Sequence, residues 1–364
     1  MKICFLSLPS YPTLMGLNLG YAGGAEVEQV ALGRELSSRG YDVCFITYAL
    51  DKSTRFSKGI EIIQTYPREY SDKLSFVQKY ASVFSALRKA NADIYFHESG
   101  AVGVLPFFGL FNNIKVVYRV PSDTTVLLES LSGPLPFSSS LIQRLEFERA
   151  NAVFVQNRFQ KDVLEQRFGV KSFLVKNGLF LPTACEKKPE PPIVLWVGSI
   201  SDIKRPELFL QLAKALPNTH FEMVGGRGAP TTLFDKIASA ASHVPNLKFN
   251  GFVRYDKVSD FYNRASILVN TSIREGLPNT FIQAWANFVP TISMNVDPDN
   301  VIKDNSLGFV SGDFQTIVSD VNKLLTDELM RKVFARNSRR YVEVVHDIKK
   351  VAENYITIFN GLMR

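Results

Sequence analysis

The sequence predicts an α/β protein made of two doubly wound parallel sheets. Three observations carry that prediction. Short apolar runs alternate with longer amphipathic segments along the whole chain. A Pro- and charge-rich break, Leu181–Pro192, interrupts the alternation and is followed at once by a new strand-like run. At 364 residues the chain exceeds one ordinary core and suits two domains.

The expected strands of the first half are Ile3–Ser7, Asp42–Thr47, Ile60–Thr65, Ile94–His97, Val116–Arg119, Ala152–Val155 and Ser172–Lys176. Between the first two, Val27, Val30, Ala31 and Leu36 recur at near-helical spacing in Ala25–Arg39, and Gly40 is placed to cap that helix. The second half offers Ile193–Gly198, Phe221–Val224, Leu247–Asn250, Ile267–Asn270, Thr291–Ser293 and Gly308–Val310. The expected organisation is therefore 1–180, a linker at 181–192, and a second sheet domain from 193 to 340. In such folds ligands sit at the carboxyl ends of the strands.

Hydrophobic content of 46% and charged content of 21% describe a globular chain and exclude disordered and fibrous classes. Cys4 and Cys44 lie inside apolar runs, and Cys185 makes the set odd, so a reducing compartment is expected, with no disulfide framework and no zinc site. Met1–Pro9 reads as the first strand, too short for a secretory signal, which points to the cytoplasm. The longest apolar stretch, Ala101–Phe111, has about a dozen residues against the roughly 20 that span a bilayer. It is a core helix or a patch resting on a membrane surface. The net charge of +7 is spread over both halves and fits acidic small molecules or an anionic membrane surface, hence a possible peripheral association. No basic-aromatic cluster supports nucleic acid.

The chemistry concentrates in Arg274-Glu275-Gly276-Leu277-Pro278-Asn279-Thr280-Phe281-Ile282-Gln283-Ala284. A strand at Ser266–Asn270, a Gly-containing loop and a helix opening at Pro278 and Asn279 together make an anion site. The first N–H groups of a helix lack intrahelical partners and its dipole is positive there. Glu275 is itself an anion, so hydroxyls are its natural partners. A sugar attached to a diphosphate satisfies both halves of the site. The second half opens with Val194–Ile200, then Ser201-Asp202-Ile203-Lys204-Arg205-Pro206 and a helix. Lys204 there is a diphosphate ligand or one of a solvated Lys-Arg pair.

Taken in order, Gly23-Gly24-Ala25-Glu26, Asn177-Gly178, Gly198 to Pro206 and Glu275 to Trp285 resemble the family 4 retaining glycosyltransferases of the GT-B fold. The resemblance spans nearly the whole chain, and its specificity lies in the order and spacing of motifs that are individually weak. It implies two Rossmann-like domains facing a cleft, with the nucleotide-sugar on the C-terminal one and the acceptor on the N-terminal one. It also implies a final helix, 341–364, crossing back to the first domain. By resemblance Glu275 contacts donor-sugar hydroxyls, the backbone of Leu277, Pro278, Asn279 and Thr280 surrounds the diphosphate (Pro278 without an N–H to donate), and Lys204 neutralises it. Gly23 and Gly24 admit phosphate or sugar close to the backbone. Phe252 and Val253 flank the nucleotide base, and Gln283 meets the ribose.

Departures from the family pattern are specific. Ser199 stands where an arginine is usual, Gln283 replaces the second glutamate of E-x7-E, Phe288 replaces a glycine, and no histidine follows Val116–Arg119. The implied activity is retaining, metal-independent transfer of a hexosyl or deoxyhexosyl group from a nucleoside diphosphate to a glycan or lipid-linked acceptor, in surface polysaccharide synthesis. No cofactor is expected. His97, Arg119 and Asp123, at strand ends, are candidates for acceptor or sugar contact, with structural roles as the other reading. Arg119 is also a candidate to replace lost positive charge at the phosphates. His220, His243 and His346, in helix or helix-end contexts, lack metal-ligand spacing. Asp297-Pro298-Asp299 matches a D-x-D signature but is expected to form a loop. Two rivals stand beside the transferase: a non-catalytic binding subunit with a degenerate donor site, and a nucleotide-sugar epimerase.

Overall fold

The computed structural model divides into two compact units, one of Met1–Leu17, Ala22–Phe180 and Ile348–Arg364 and one containing Leu181–Asp347. The structure describes residues 1–17, 23–50, 55–98, 104–111, 114–130, 133–184, 187–228 and 230–364. Ala101–Gly103 of the apolar stretch and Cys185 and Glu186 of the linker lie outside those residues.

The first unit is built on β1 (Lys2–Leu6), β2 (Asp42–Ala49), β3 (Phe56–Ser57), β4 (Ile60–Pro67), β5 (Ile94–His97) and β6 (Lys115–Arg119). A small ribbon of β7 (Glu129–Ser130) and β8 (Gly133–Pro134) follows, then β9 (Ala152–Val155) and β10 (Phe173–Leu174). The main sheet runs β10-β9-β6-β5-β1-β2-β4-β3, parallel except for the β3–β4 hairpin at its edge. Its central strands are near-continuous Val, Ile and Phe runs because both faces are covered. The helices Gly24–Ser38 and Ile348–Leu362 close one face, with Phe5 stacked on Phe45 at 4.7 Å and Phe154 edge-on to Tyr355 at 5.0 Å. On the other, the helices Phe76–Ala90 and Val104–Phe111 bury Val83, Leu87, Val104, Leu105 and Phe108. Of the two readings of the apolar stretch, its helical part therefore takes the core one. No helix among the described residues is long and apolar enough to cross a membrane.

The second unit carries β11 (Ile193–Val197), β12 (His220–Val224), β13 (Leu247–Phe249), β14 (Ile267–Asn270), β15 (Thr291–Ser293) and β16 (Gly308–Val310). They form an all-parallel sheet in the order β13-β12-β11-β14-β15-β16. Trp196, Phe209, Met223, Val269 and Ile292 lie in its core.

Several boundaries differ from expectation. The helix expected from Ala25 begins at Gly24, and Gly40 takes φ +88° just past the capping Arg39. His220 opens a strand rather than sitting in a helix. The final helix is split: Glu328–Val345 ends at His346, and Ile348–Leu362 begins two residues later. The crossing segment therefore starts at 348, not 341. There the Ile348 N–H donates to the Leu179 carbonyl at 3.0 Å, a bond that competes with continuing the helix. The linker is fastened to the second unit. Lys188 Nζ donates to the carbonyls of Tyr262, Asn263 and Asn287 at 3.2, 2.9 and 2.6 Å, near the ends of two helices where carbonyls lack intrahelical donors.

Candidate active site

The carboxyl edge of the second sheet is shaped by two loops drawn against each other. After β11, the Gly198 N–H donates to Val224 O at 3.1 Å, and Ile200 exchanges bonds with Gly226 O and the Gly228 N–H. This pairing needs glycine: a Cβ on Gly225 would strike Gly198 O, and one on Gly228 would lie 2.6 Å from Ile200 O. Gly225-Gly226-Arg227-Gly228 was not singled out in the sequence, though its glycine density is a turn signal.

The chain then turns through Asp202–Lys204 into Arg205, which takes left-handed φ 45°, ψ 55° immediately before Pro206. Proline disfavours helical backbone before it and a side chain disfavours positive φ, so this is a strained position. Its anchors are visible. Arg205 Nε donates to Thr271 O at 2.7 Å and Nη2 to Ser272 O at 3.3 Å. The Ile273 N–H reaches Ile203 O at 2.9 Å, Thr271 Oγ1 donates to Lys204 O at 2.6 Å, and Trp196 Nε1 donates to that same hydroxyl at 3.0 Å. The loops after β11 and β14 are thus joined by both backbone and side chains.

This zipper brings Lys204 and Glu275 together. Lys204 Nζ lies 2.5 Å from Glu275 Oε2, with the two side chains 21% and 14% exposed. Asn270 Nδ2 donates to the other carboxylate oxygen, Oε1, at 3.0 Å, and Asn270 is itself held by the Ser272 N–H at 3.2 Å. Just beyond, the helix Asn279–Ala286 starts behind Pro278 with no side-chain cap and no acidic residue in its first turn. Buried Phe281, Ile282 and Trp285 fix its direction, and Trp285 Nε1 donates to Thr291 Oγ1 at 3.0 Å. Leu277 and Pro278 are buried, while Asn279, Thr280 and Gln283 are half-buried on the same helix and its entry. Ser199 is exposed in the first loop, its Oγ 3.5 Å from Ser201 Oγ. Phe252 and Val253 are half-buried, following β13 after Gly251 at φ 63°. Asp297 is occupied by backbone: its Oδ1 accepts from the Ile302 N–H at 2.7 Å, capping the turn Val301–Asp304. Burial raises its pKa.

In the first unit, Gly23 is the extended residue before the helix that Gly24 opens, and a Cβ there would strike the Glu26 carboxylate. Asp123 Oδ1 accepts from Asn157 Nδ2 at 3.0 Å and Gln160 Nε2 at 2.9 Å. His97 is buried, 3.6 Å from Glu146 Oε1 and 5.6 Å ring to ring from Tyr118, and among the described residues neither ring nitrogen has a hydrogen-bond partner. Arg119, considered as a replacement phosphate cation, is fully buried with its charge already taken. Its Nη1 bonds Glu28 and, at 2.9 Å, Glu98, and its Nη2 donates to Asn177 Oδ1 at 2.5 Å. That geometry does not present Arg119 to a phosphate.

Burial pushes the Glu98 carboxyl up to about 8, with Arg119 pulling against it and Glu28 and Glu26 adding to it. The Glu28 carboxyl is also raised by burial. Burial opposes the Arg119 charge, yet the two carboxylates outweigh it and raise its pKa. Neither Glu28 nor Glu98 was legible as a partner: each is an ordinary glutamate in its local pattern, and only the fold brings the ends of β5 and β6 and the helix Gly24–Ser38 together.

Two family models match successive parts of the chain: "Glycosyltransferase Family 4" over residues 22–179 and "Glycosyl transferases group 1" over residues 182–341. An uncharacterized glycosyltransferase of Haemophilus influenzae is 23% identical over 355 residues, 93% of this chain and 97% of that protein. A Campylobacter jejuni α-1,4-N-acetyl-D-galactosaminyltransferase, named for a diNAcBac-PP-undecaprenol-linked acceptor, is 21% identical over 88% of this chain and 90% of its own length. Among solved structures, Anabaena HepE in complex with UDP-glucose superposes with a TM-score of 0.76 over 99% of this chain and 100% of that one, at 14% identity. The chain belongs to the family 4 glycosyltransferases, is an enzyme of that class, and has the GT-B fold.

Proposed function

We propose that this enzyme transfers a sugar from a nucleoside diphosphate-sugar to a glycan or lipid-linked acceptor, with retention at the anomeric carbon and without a metal. The observation that carries this reading is the Lys204–Glu275 pair held beside the uncapped start of the helix Asn279–Ala286. A cation and a helix N-terminus suit a diphosphate, and a carboxylate beside them suits sugar hydroxyls. In the reaction the bond from the anomeric carbon to the diphosphate breaks as the acceptor oxygen bonds to that carbon from the same face. The acceptor proton passes to the leaving diphosphate oxygen. Lys204 and the backbone N–H groups at the helix entry stabilise the charge that develops there.

The UDP-glucose complex of HepE and the undecaprenol-linked acceptor in the name of the Campylobacter relative support a nucleotide-sugar donor and a lipid-linked glycan setting. On this reading the protein works in surface polysaccharide synthesis, cytoplasmic and peripheral to the membrane. The test begins with a thermal-shift panel of UDP, GDP, ADP, dTDP and CMP, followed by turnover with the matching sugar donors in EDTA. Glu275→Ala and Lys204→Ala should each lower turnover by about two to three decades with the fold intact. Near-normal turnover in either variant refutes the site, loss of activity in EDTA refutes metal independence, and an inverted anomer in the product's NMR spectrum refutes retention.

A further inference from the structure

Lys204 and Glu275 are held in an arrangement that a diphosphate has to undo. The carboxylate reaches Lys204 with one oxygen at 2.5 Å and is tethered through the other to Asn270 at 3.0 Å. Asn270 is tied in turn to Ser272 through both its amide oxygen and its amide nitrogen, each at 3.2 Å. On the other side, the Lys204 carbonyl accepts the Thr271 hydroxyl at 2.6 Å and its N–H donates to Ser201 O at 3.0 Å. The backbones carrying the two charges are therefore anchored. An anion arriving at Lys204 meets a carboxylate that stays nearby.

We infer that Glu275 competes with the diphosphate for Lys204, so that the site favours the intact nucleoside diphosphate-sugar over the nucleoside diphosphate that the reaction leaves behind. The inference rests on the donor-site reading above. A nucleoside diphosphate that takes Lys204 strips Glu275 Oε2 of its charged partner and leaves two anions side by side. The sugar-bearing donor displaces the same contact, but its hydroxyls donate to the freed oxygen and restore what was lost. One charge-assisted hydrogen bond corresponds to about one to two decades of affinity. The product is thus held less tightly than the donor by a group that also contacts the donor, which shortens product occupancy. Glu275 then sets specificity along the reaction coordinate as well as toward the sugar.

The test is calorimetric titration of the full-length protein with UDP, GDP and ADP, in the wild type, Glu275→Gln, Lys204→Met and the double variant. Glutamine keeps the shape and an oxygen for Asn270 while removing the charge. The expected result is that the diphosphate that binds the wild type binds Glu275→Gln about tenfold more tightly, while Lys204→Met weakens it. In the Lys204→Met background the gain from Glu275→Gln should shrink, because the competition has lost its object and only the repulsion between the two anions is left. Glu275→Ala provides a second variant and should shift affinity in the same direction. Unchanged or weaker binding in both Glu275 variants, with unaltered melting behaviour, overturns the competition and leaves the donor site standing. Failure of every diphosphate to bind the wild type at millimolar concentration overturns the donor-site reading, and this inference with it.

Discussion

Replacing Glu98 by glutamine tests how the first unit holds its buried charge. One guanidinium, Arg119, faces two carboxylates, Glu28 and Glu98, all within the core. With both acids ionised the cluster carries a net negative charge in a poorly solvated place, and burial accordingly moves Glu98 from its ordinary 4.5 to about 8. The neighbouring amide fits a protonated Glu98. Gln29 donates Nε2 to Glu98 Oε2 at 3.1 Å, and among the described residues its own Oε1 has no partner. Turned over, that amide would accept a hydrogen bond from the O–H of a neutral Glu98. Between about pH 4.5 and 8 the folded chain therefore binds a proton that the unfolded chain has released. Stability is fully present below the unfolded value and falls as pH rises through the window, by up to about 1.4 kcal/mol per unit. Glutamine removes the titration. In Glu98→Gln the decline should flatten, leaving the variant the more stable form at pH 8.5. Both tryptophans, Trp196 and Trp285, belong to the second unit, so indole fluorescence misses this transition. Cys4 and Cys44 are free, buried and in the first unit. Their labelling in urea, resolved by peptide mass and referenced to the unfolded chain at each pH, reports the unit directly. A wild-type slope that is flat or rising, or one that Glu98→Gln leaves unchanged, refutes the reasoning.

Thr271→Val should cost about 1–3 kcal/mol, because it leaves the Trp196 indole N–H buried without its acceptor. It also frees the Lys204 carbonyl, so donor KM should rise along with a change in indole emission; an unaltered KM would show that the loop zipper does not position Lys204. Ser199→Arg, at an exposed position in the same loop, should tighten nucleoside diphosphate binding by about tenfold and blunt the effect of Lys204→Ala. A neutral or weakening effect in calorimetry would mean that the loop does not face the diphosphate.

Much of the fold was legible because buried parallel strands announce themselves. Ile94–His97, Ala152–Val155, Ile267–Asn270, Thr291–Ser293 and Gly308–Val310 match their sequence boundaries, and the first four are buried at every residue. What escaped was decided by tertiary contact. Ser172–Lys176 pairs only at Phe173–Leu174, on a sheet edge where one neighbour is missing. The short hairpin strand Phe56–Ser57 has no periodicity to detect. The split at His346 is set by a bond to Leu179 more than 160 residues away. In the candidate site, Lys204 and Glu275 were legible from loop chemistry. Asn270 and Arg205 were not, because their role is to hold carboxylate and carbonyl groups that only the folded loops bring near.

Lys204 and Arg119 show why a cation beside a strand end does not by itself make a phosphate site. Both follow or close a parallel strand at its carboxyl edge, and both are ion-paired. Arg119 is sealed beneath Glu28 and Glu98, with Asn177 on its other nitrogen, so drawing it toward a ligand would strip this buried acid cluster of its counterion. Breaking such a pair costs roughly 3–5 kcal/mol. Lys204 remains 21% exposed and opposes one carboxylate that is 14% exposed, so water reaches both partners and, on the proposed reading, a diphosphate could replace the carboxylate. Burial makes the first pair a fixture of the fold, and partial exposure makes the second a contact that a ligand can replace. On the donor-site reading proposed above, with Ser199 where the family pattern has an arginine and Arg205 committed to the carbonyls of Thr271 and Ser272, the diphosphate's charge would fall more heavily on Lys204. The proposed competition from Glu275 for that one ammonium would be correspondingly sharper than with a second cation in the loop.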